Sequence, residues 1–201
     1  MARLFPTQAG LDPTHSDEEP VFDIDRFIEN CRAAVREDPS YKAAREVLAR
    51  ANSDPAAMLA SFGEPTCAGV TPIFKSDTLT ILNVVWGKKM TIMPHDHRMW
   101  AVIGVYTGRE DNIFWRRVAG RTGGLIEAAG AKSLGERCAE PLGRDVIHSV
   151  TNPLARLTAA IHLYGGDFYG ARRSDWDPET LLERDYDFAL HRCMFEEANA
   201  A

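Results

Sequence analysis

The sequence predicts a mainly β domain, a barrel or sandwich of short strands with an α-helical N-terminal region and a short helical C-terminal tail. Three observations carry this. Between about Val70 and Tyr164, β-branched and aromatic runs alternate with turn residues at the spacing of an all-β barrel or sandwich. Before that stretch, apolar residues recur at the period of a helix with one buried face. Finally, 201 residues with 45% hydrophobic and 26% charged content make one soluble structural domain able to bury a sizeable core.

In chain order, residues 1–20 mix Pro6, Gly10 and Pro13 with the acidic run Ser16-Asp17-Glu18-Glu19 and show no apolar period, so a flexible arm is expected. Residues 21–63 read as helices packed on the barrel. Ile24, Phe27, Ile28, Cys31 and Val35 follow helical spacing, with Asp23 or Asp25 available as the cap. A second helix is expected from Asp38-Pro39, with Tyr41, Ala44, Leu48 and Ala51 on one face; Ser53-Asp54-Pro55 opens a third, which Gly63 ends. The barrel takes residues 64–175, with strands expected at 70–75, 79–86, 90–93, 98–106, 111–118, 123–127, 145–151 and 156–164. Lys75-Ser76-Asp77-Thr78 reads as a hairpin turn, and Gly87, Gly108, Gly120 and Gly123-Gly124 punctuate the rest. Residues 176–201 are expected as a helical tail opened by Asp177-Pro178.

Composition excludes several functions. Lys and Arg number 23 against 29 Asp and Glu, and the resulting charge of -6 gives no electrostatic footprint for nucleic acid or an anionic membrane. Cys31, Cys67, Cys138 and Cys193 form no Cys-x-x-Cys pair, which excludes a zinc knuckle or dithiol motif from near neighbours and leaves reduced thiols. Met1 to Gly10 carry no apolar stretch followed by a cleavage site, and no apolar run approaches the ~20 residues of a membrane span. A cytoplasmic protein without nucleic-acid or membrane partners is expected.

The sharpest local feature is Pro94-His95-Asp96-His97. Along a strand alternate side chains share a face, so His95 and His97 point together and Asp96 points away. Two imidazoles so placed hold adjacent corners of a coordination sphere for iron, zinc, copper or nickel. His148 lies on a later strand, preceded by Pro141-Leu-Gly143 and followed by Asn152, while His162 and Tyr164 share one face of another strand with Ala160. A barrel brings such strands to one cavity.

The segments Gly87…His95-x-His97…Gly108 and Pro141-x-Gly143…His148-x-x-x-Asn152 resemble the two metal-binding motifs of the cupin superfamily, the double-stranded β-helix proteins. More narrowly, Val85-Trp86-Gly87, His95-Asp96-His97, His148, and His162-Leu-Tyr164 with Gly165 and Arg172-Arg173 resemble the bacterial thiol dioxygenases, the cysteine and 3-mercaptopropionate dioxygenase group. The likeness covers about residues 65–175. It implies a cupin double-stranded β-helix barrel in which His95, His97 and His148 ligate a mononuclear Fe(II), with nickel or zinc as alternatives in isolated protein. It also implies His162 and Tyr164 as a catalytic pair beside the metal, and a small organic substrate that reacts with O₂. The departures matter. Ala101 and Val102 stand where many cupins have a glutamate ligand, leaving three histidines. No cysteine lies near Val102 for a crosslink to the tyrosine, and Ala160 replaces the serine of the family's Ser-x-His-x-Tyr.

Three neutral imidazoles leave a divalent metal its full charge, which favours anionic partners such as a thiolate or an enolate. A thiol becoming a sulfinate is the leading reaction; carbon-carbon cleavage of an enolisable substrate and a non-catalytic metal- or small-ligand-binding cupin are the alternatives. A substrate carboxylate calls for a guanidinium. Arg109, Arg116 and Arg117 are the candidates, with Arg98 set against by strand parity and Met99 as a cavity wall. Trp100 and Trp115 read as packing residues, Arg172-Arg173 as a solvated charge cluster and His191 as a surface histidine. A homo-oligomer is left open because cupin edges often pair.

Overall fold

The computed structural model describes residues 22–200. The expected arm at 1–20, with His15, lies outside them. Three helices come first, α1 (Ile24–Glu37), α2 (Tyr41–Ala51) and α3 (Pro55–Phe62). Each is capped by a side chain that accepts an orphan backbone N–H: Asp23 from Arg26, Ser40 from Lys42, Asp54 from Ala57. The second helix thus starts two residues later than Pro39, because Ser40 supplies the cap. Pro55 takes the first position of α3, and Gly63 follows its end at φ 79°, a left-handed conformation suited to glycine.

Eleven strands follow among the described residues: β1 (Gly69–Lys75), β2 (Thr80–Trp86), β3 (Thr91–Asp96), β4 (Ala101–Thr107), β5 (Arg109–Arg117), β6 (Ile126–Gly135), β7 (Glu140–Leu142), β8 (Ile147–Thr151), β9 (Thr158–Tyr164), β10 (Ser174–Trp176) and β11 (Glu183–Asp185). They form two antiparallel sheets, in the orders β1-β2-β9-β4-β7 and β11-β10-β3-β8-β5-β6. Helix α4 (Phe188–Ala200) ends the described chain.

Alternation along β9 divides the interior into two cores. Ala160 and Tyr164 face the core between the sheets with Leu82, Trp86, Ile92, Ile103 and Val150. Ala159, Ile161 and Leu163 face the other way, into a core where Phe27, Cys31, Val35, Leu48 and Met58 of α1–α3 cover the first sheet. Gly104 of β4 lets α2 come close: a Cβ there would meet Leu48 Cγ at 2.9 Å.

Two expectations change. The tail is not helical from Asp177: its carboxylate accepts the N–H groups of Glu179 and Thr180 in a turn, and the chain returns as β11 against β10. The helix begins only after Asp187, whose Oδ1 accepts from the N–H groups of Ala189 and Leu190. The strand expected at 98–106 starts at Ala101, because Arg98 has φ 56° and the chain turns between His97 and Trp100. No helix among the described residues is long and apolar enough to cross a membrane.

Candidate metal centre

β3 and β8 are neighbours, and their register sets His95 directly opposite His148. A register shift between Ile92 and His95 bends β3 as it enters the site. His97 follows β3 at the turn. The three rings then converge, with centroids 5.0 Å apart for His95–His97, 4.7 Å for His95–His148 and 5.0 Å for His97–His148. All three are buried, and one ligand atom from each lies within 4.8 Å of the others.

The outer nitrogens fix which atoms face inward. His95 Nδ1–H donates to the Met93 carbonyl at 3.0 Å, and His148 Nδ1–H donates to Asn112 Oδ1 at 2.6 Å. Each ring therefore keeps its Nε2 lone pair for the centre. The Nε2 atoms of His97 and His148 stand 2.8 Å apart. Two imidazole nitrogens so close, each about 2.0–2.1 Å from a shared ion, fit adjacent corners of one coordination sphere. Burial pushes the His148 pKa down to about 4. Burial and the neighbouring rings likewise hold His95 and His97 well below the ordinary histidine value. The cluster is neutral at pH 7, the form that binds metal. The residues present fit a divalent cation held by three histidines.

Across from them, on β9, His162 Nδ1 and the Tyr164 hydroxyl share a hydrogen bond of 3.0 Å, and the Tyr164 ring lies 4.9 Å from that of His97. Burial raises the Tyr164 pKa far above its ordinary value, so the phenol stays neutral. A cavity of about 410 Å³ opens onto these groups, walled by Leu82, Val84, Ile92, Phe168, Tyr186 and Phe195.

The arginines expected to hold substrate lie elsewhere. Arg109, Arg116 and Arg117 project outward from β5 and pair with Asp111, Glu127 and Glu183; Arg117 also stacks on Trp176. Strand parity turns Glu110 and Asn112 inward instead, and both are buried. Arg98 is outside as well, paired with Asp96 Oδ2 at 2.8 Å. Met99 packs in the core between the sheets rather than on the cavity wall.

Two residues read as solvated prove buried. Arg173 is 5% exposed, its guanidinium carbon 3.8 Å from the Phe168 ring centroid and 3.9 Å from that of Tyr186, and none of its three nitrogens has a hydrogen-bond partner. His191 of α4 lines the cavity, its ring 5.6 Å from His95 and stacked on Tyr186, with Nε2 3.2 Å from Asp175 Oδ2. Both depend on the β10–β11 hairpin folding back over the barrel, which no local period announces. Trp100 and Trp115 are packing residues whose indole N–H groups donate to the Pro39 carbonyl and to Ser149 Oγ.

No protein-family model matches the chain. Among solved structures, it is similar to an RmlC-like cupin family protein with a double-stranded β-helix fold from Methanocaldococcus jannaschii, at 8% identity over 53% of this chain and 86% of that one, with a TM-score of 0.43. It is also similar to an uncharacterised conserved protein with a double-stranded β-helix domain from Klebsiella pneumoniae, at 8% identity, 82% and 98% coverage and a TM-score of 0.43. A cupin superfamily protein from Desulfitobacterium hafniense is similar at 13% identity, 54% and 88% coverage and a TM-score of 0.42. The architecture is defined by this chain's own strands: the orders β2-β9-β4-β7 and β3-β8-β5-β6 within two antiparallel sheets, in which strands distant in sequence are neighbours, make a double-stranded β-helix barrel. Helices flank it at both ends, and three histidines within it can hold a metal.

Proposed function

We propose that the chain is a metal-dependent dioxygenase that uses O₂ to oxidise a small anionic organic substrate, with a thiol becoming a sulfinate as the leading reaction. The observation that carries this is the donor set: three neutral, buried imidazoles with no carboxylate among them. Iron(II) held there would keep its full charge, favour a thiolate, and supply the redox chemistry that lets it meet O₂. The overall change, R–S⁻ + O₂ → R–SO₂⁻, takes both oxygen atoms and needs no other reductant.

The remaining steps belong to the protein. Phe168, Leu82 and Val84 give the cavity apolar walls, and water displaced from them by a bound substrate would strengthen the charge interactions inside it. The Tyr164 hydroxyl, hydrogen-bonded to His162, would be the group that hydrogen-bonds the reacting atoms. Arg173 is a permanent cation close enough to lower the pKa values of His95 and His97, and its nitrogens are unpaired. A carboxylate or other anion on the substrate would give that guanidinium the partner it lacks.

The test is O₂ uptake by iron(II)-loaded protein offered cysteine, cysteamine and 3-mercaptopropionate, with sulfinate measured by mass spectrometry. Uptake and sulfinate in equal amounts, lost in His95→Ala, support the reading. Neither signal from any thiol in the panel contradicts it.

A further inference from the structure

Glu110 is a carboxylate with no exposed surface. Burying such a charge costs several kcal/mol unless donors replace water. Trp86 Nε1–H donates to Oε2 at 2.8 Å and Asn112 Nδ2–H donates to Oε1 at 3.1 Å, while His162 Nε2 stands 3.4 Å from Oε2 without a hydrogen bond. Burial alone would push the Glu110 pKa up; the groups of His162, Asn112 and Trp86 outweigh it and hold the carboxyl below its ordinary value. An ionised carboxylate only accepts.

That property propagates to the histidine cluster. Asn112 has to turn its NH₂ toward Glu110, which leaves its carbonyl oxygen for His148. His148 then has to carry its proton on Nδ1, and its Nε2 lone pair is free to face His97. We propose that Glu110 is a positioning residue of the metal centre, setting the tautomer of His148 through Asn112. This rests on reading the three histidines as a metal site.

Among the described residues, Asn112 is the hydrogen-bond partner of His148 Nδ1. Without the carboxylate the Asn112 amide is free to flip, and its NH₂ would then oppose the Nδ1–H of His148. The tautomer with the proton on Nε2 becomes the better one, and it cannot ligate through that atom.

The test uses the full chain. Long-range ¹H–¹⁵N NMR of the histidine rings, recorded on metal-free protein, reads each tautomer, and cobalt(II) titration followed by visible absorption reads affinity. Wild-type protein should show Nδ1–H for His148. In Glu110→Gln the His148 tautomer should switch or mix, and cobalt affinity should fall about 10–100-fold. The double variant Glu110→Gln with Asn112→Asp should recover the Nδ1–H tautomer and most of the affinity, because a carboxylate at position 112 accepts from both neighbours. Asn112→Leu, which leaves Glu110 and Trp86 in place, should release the His148 tautomer from the other end. The proposal is overturned by an unchanged tautomer with affinity within about twofold of wild type, or by a loss that the double variant does not restore. Wild-type protein that binds no cobalt overturns the metal reading instead, and the metal-free NMR still decides the role of Glu110.

Discussion

The cavity has two walls built on different terms. The strand wall, from β3, β5, β8 and β9, carries His95, His148 and His162, with His97 at its edge and Glu110 and Asn112 behind. Its outer N–H groups are given away to Met93 O and Asn112 Oδ1, so lone pairs face inward. The tail wall, from β10, β11 and α4, puts Tyr186 and His191 on the cavity with Arg173 and Asp175 packed against them, and there a guanidinium is buried with no acceptor for any of its nitrogens. The difference teaches which charges the site is made for: one wall is arranged for a cation, the other retains a cation that an anion would complete.

Four perturbations break or sharpen that contrast. The largest effect belongs to the strand wall. His97→Ala removes one of three ligands, and cobalt affinity should fall more than a hundredfold, beyond the ~10–100-fold loss of a supporting partner, with little change in unfolding midpoint. On the tail wall Asp175→Asn should do the reverse. Fully buried Asp175 accepts from Arg184 Nε, from His191 and from the Asp187 N–H. Breaking it should cost about 3 kcal/mol in urea unfolding while metal stoichiometry is retained.

Arg173→Met separates function from stability. Removing an unpaired buried charge at similar volume should leave stability level or raise it by about 1 kcal/mol. The KM for 3-mercaptopropionate in O₂ uptake should nevertheless rise about tenfold or more, the value of a charge-assisted pair. An unchanged KM would make the tail wall mere packing.

The smallest effect lies at its rim. The hydrogen bond from Arg117 holds the Glu183 carboxyl down to about 2, against an ordinary 4.5. A folded-state value below the unfolded one means stability present above pH 4.5 and lost as pH falls toward 2. Glu183→Gln should lower neutral-pH stability by about 1 kcal/mol, since its partner is partly exposed, and flatten the acid dependence of the melting midpoint across that window.

The strand wall was legible in the sequence because its signal is a period of two. His162 and Tyr164 share a face, Ala159, Ile161 and Leu163 take the other, and the barrel expected from the turn spacing brings His148 beside His95. Glu110 and Asn112 obey the same parity. Their place is hidden in the sequence because Arg109-Glu110-Asp111-Asn112 has the composition of a turn, and the expected strand begins only at Asp111. The arginines of β5 failed for the matching reason: nearness in sequence to the motifs says nothing about which face they occupy. β6 runs on to Gly135 through Ala, Gly, Lys and Ser because pairing with β5 holds it, although those residues carry no strand preference.

The tail wall was not legible, because its placement is tertiary. Arg173 and His191 sit in polar sequence and look solvated until the Ser174–Asp185 hairpin and α4 close over the barrel. A three-residue strand such as β10, with no room for alternation, leaves no pattern to find.

The central claim is that His95, His97 and His148 form one metal site. Metal analysis after reconstitution with iron(II) and gel filtration tests it directly, on protein purified without chelator. The account predicts about one equivalent per chain in the wild type and less than about a tenth in His97→Ala. Less than about a tenth of an equivalent in the wild type, or equal loading in the two proteins, would contradict it.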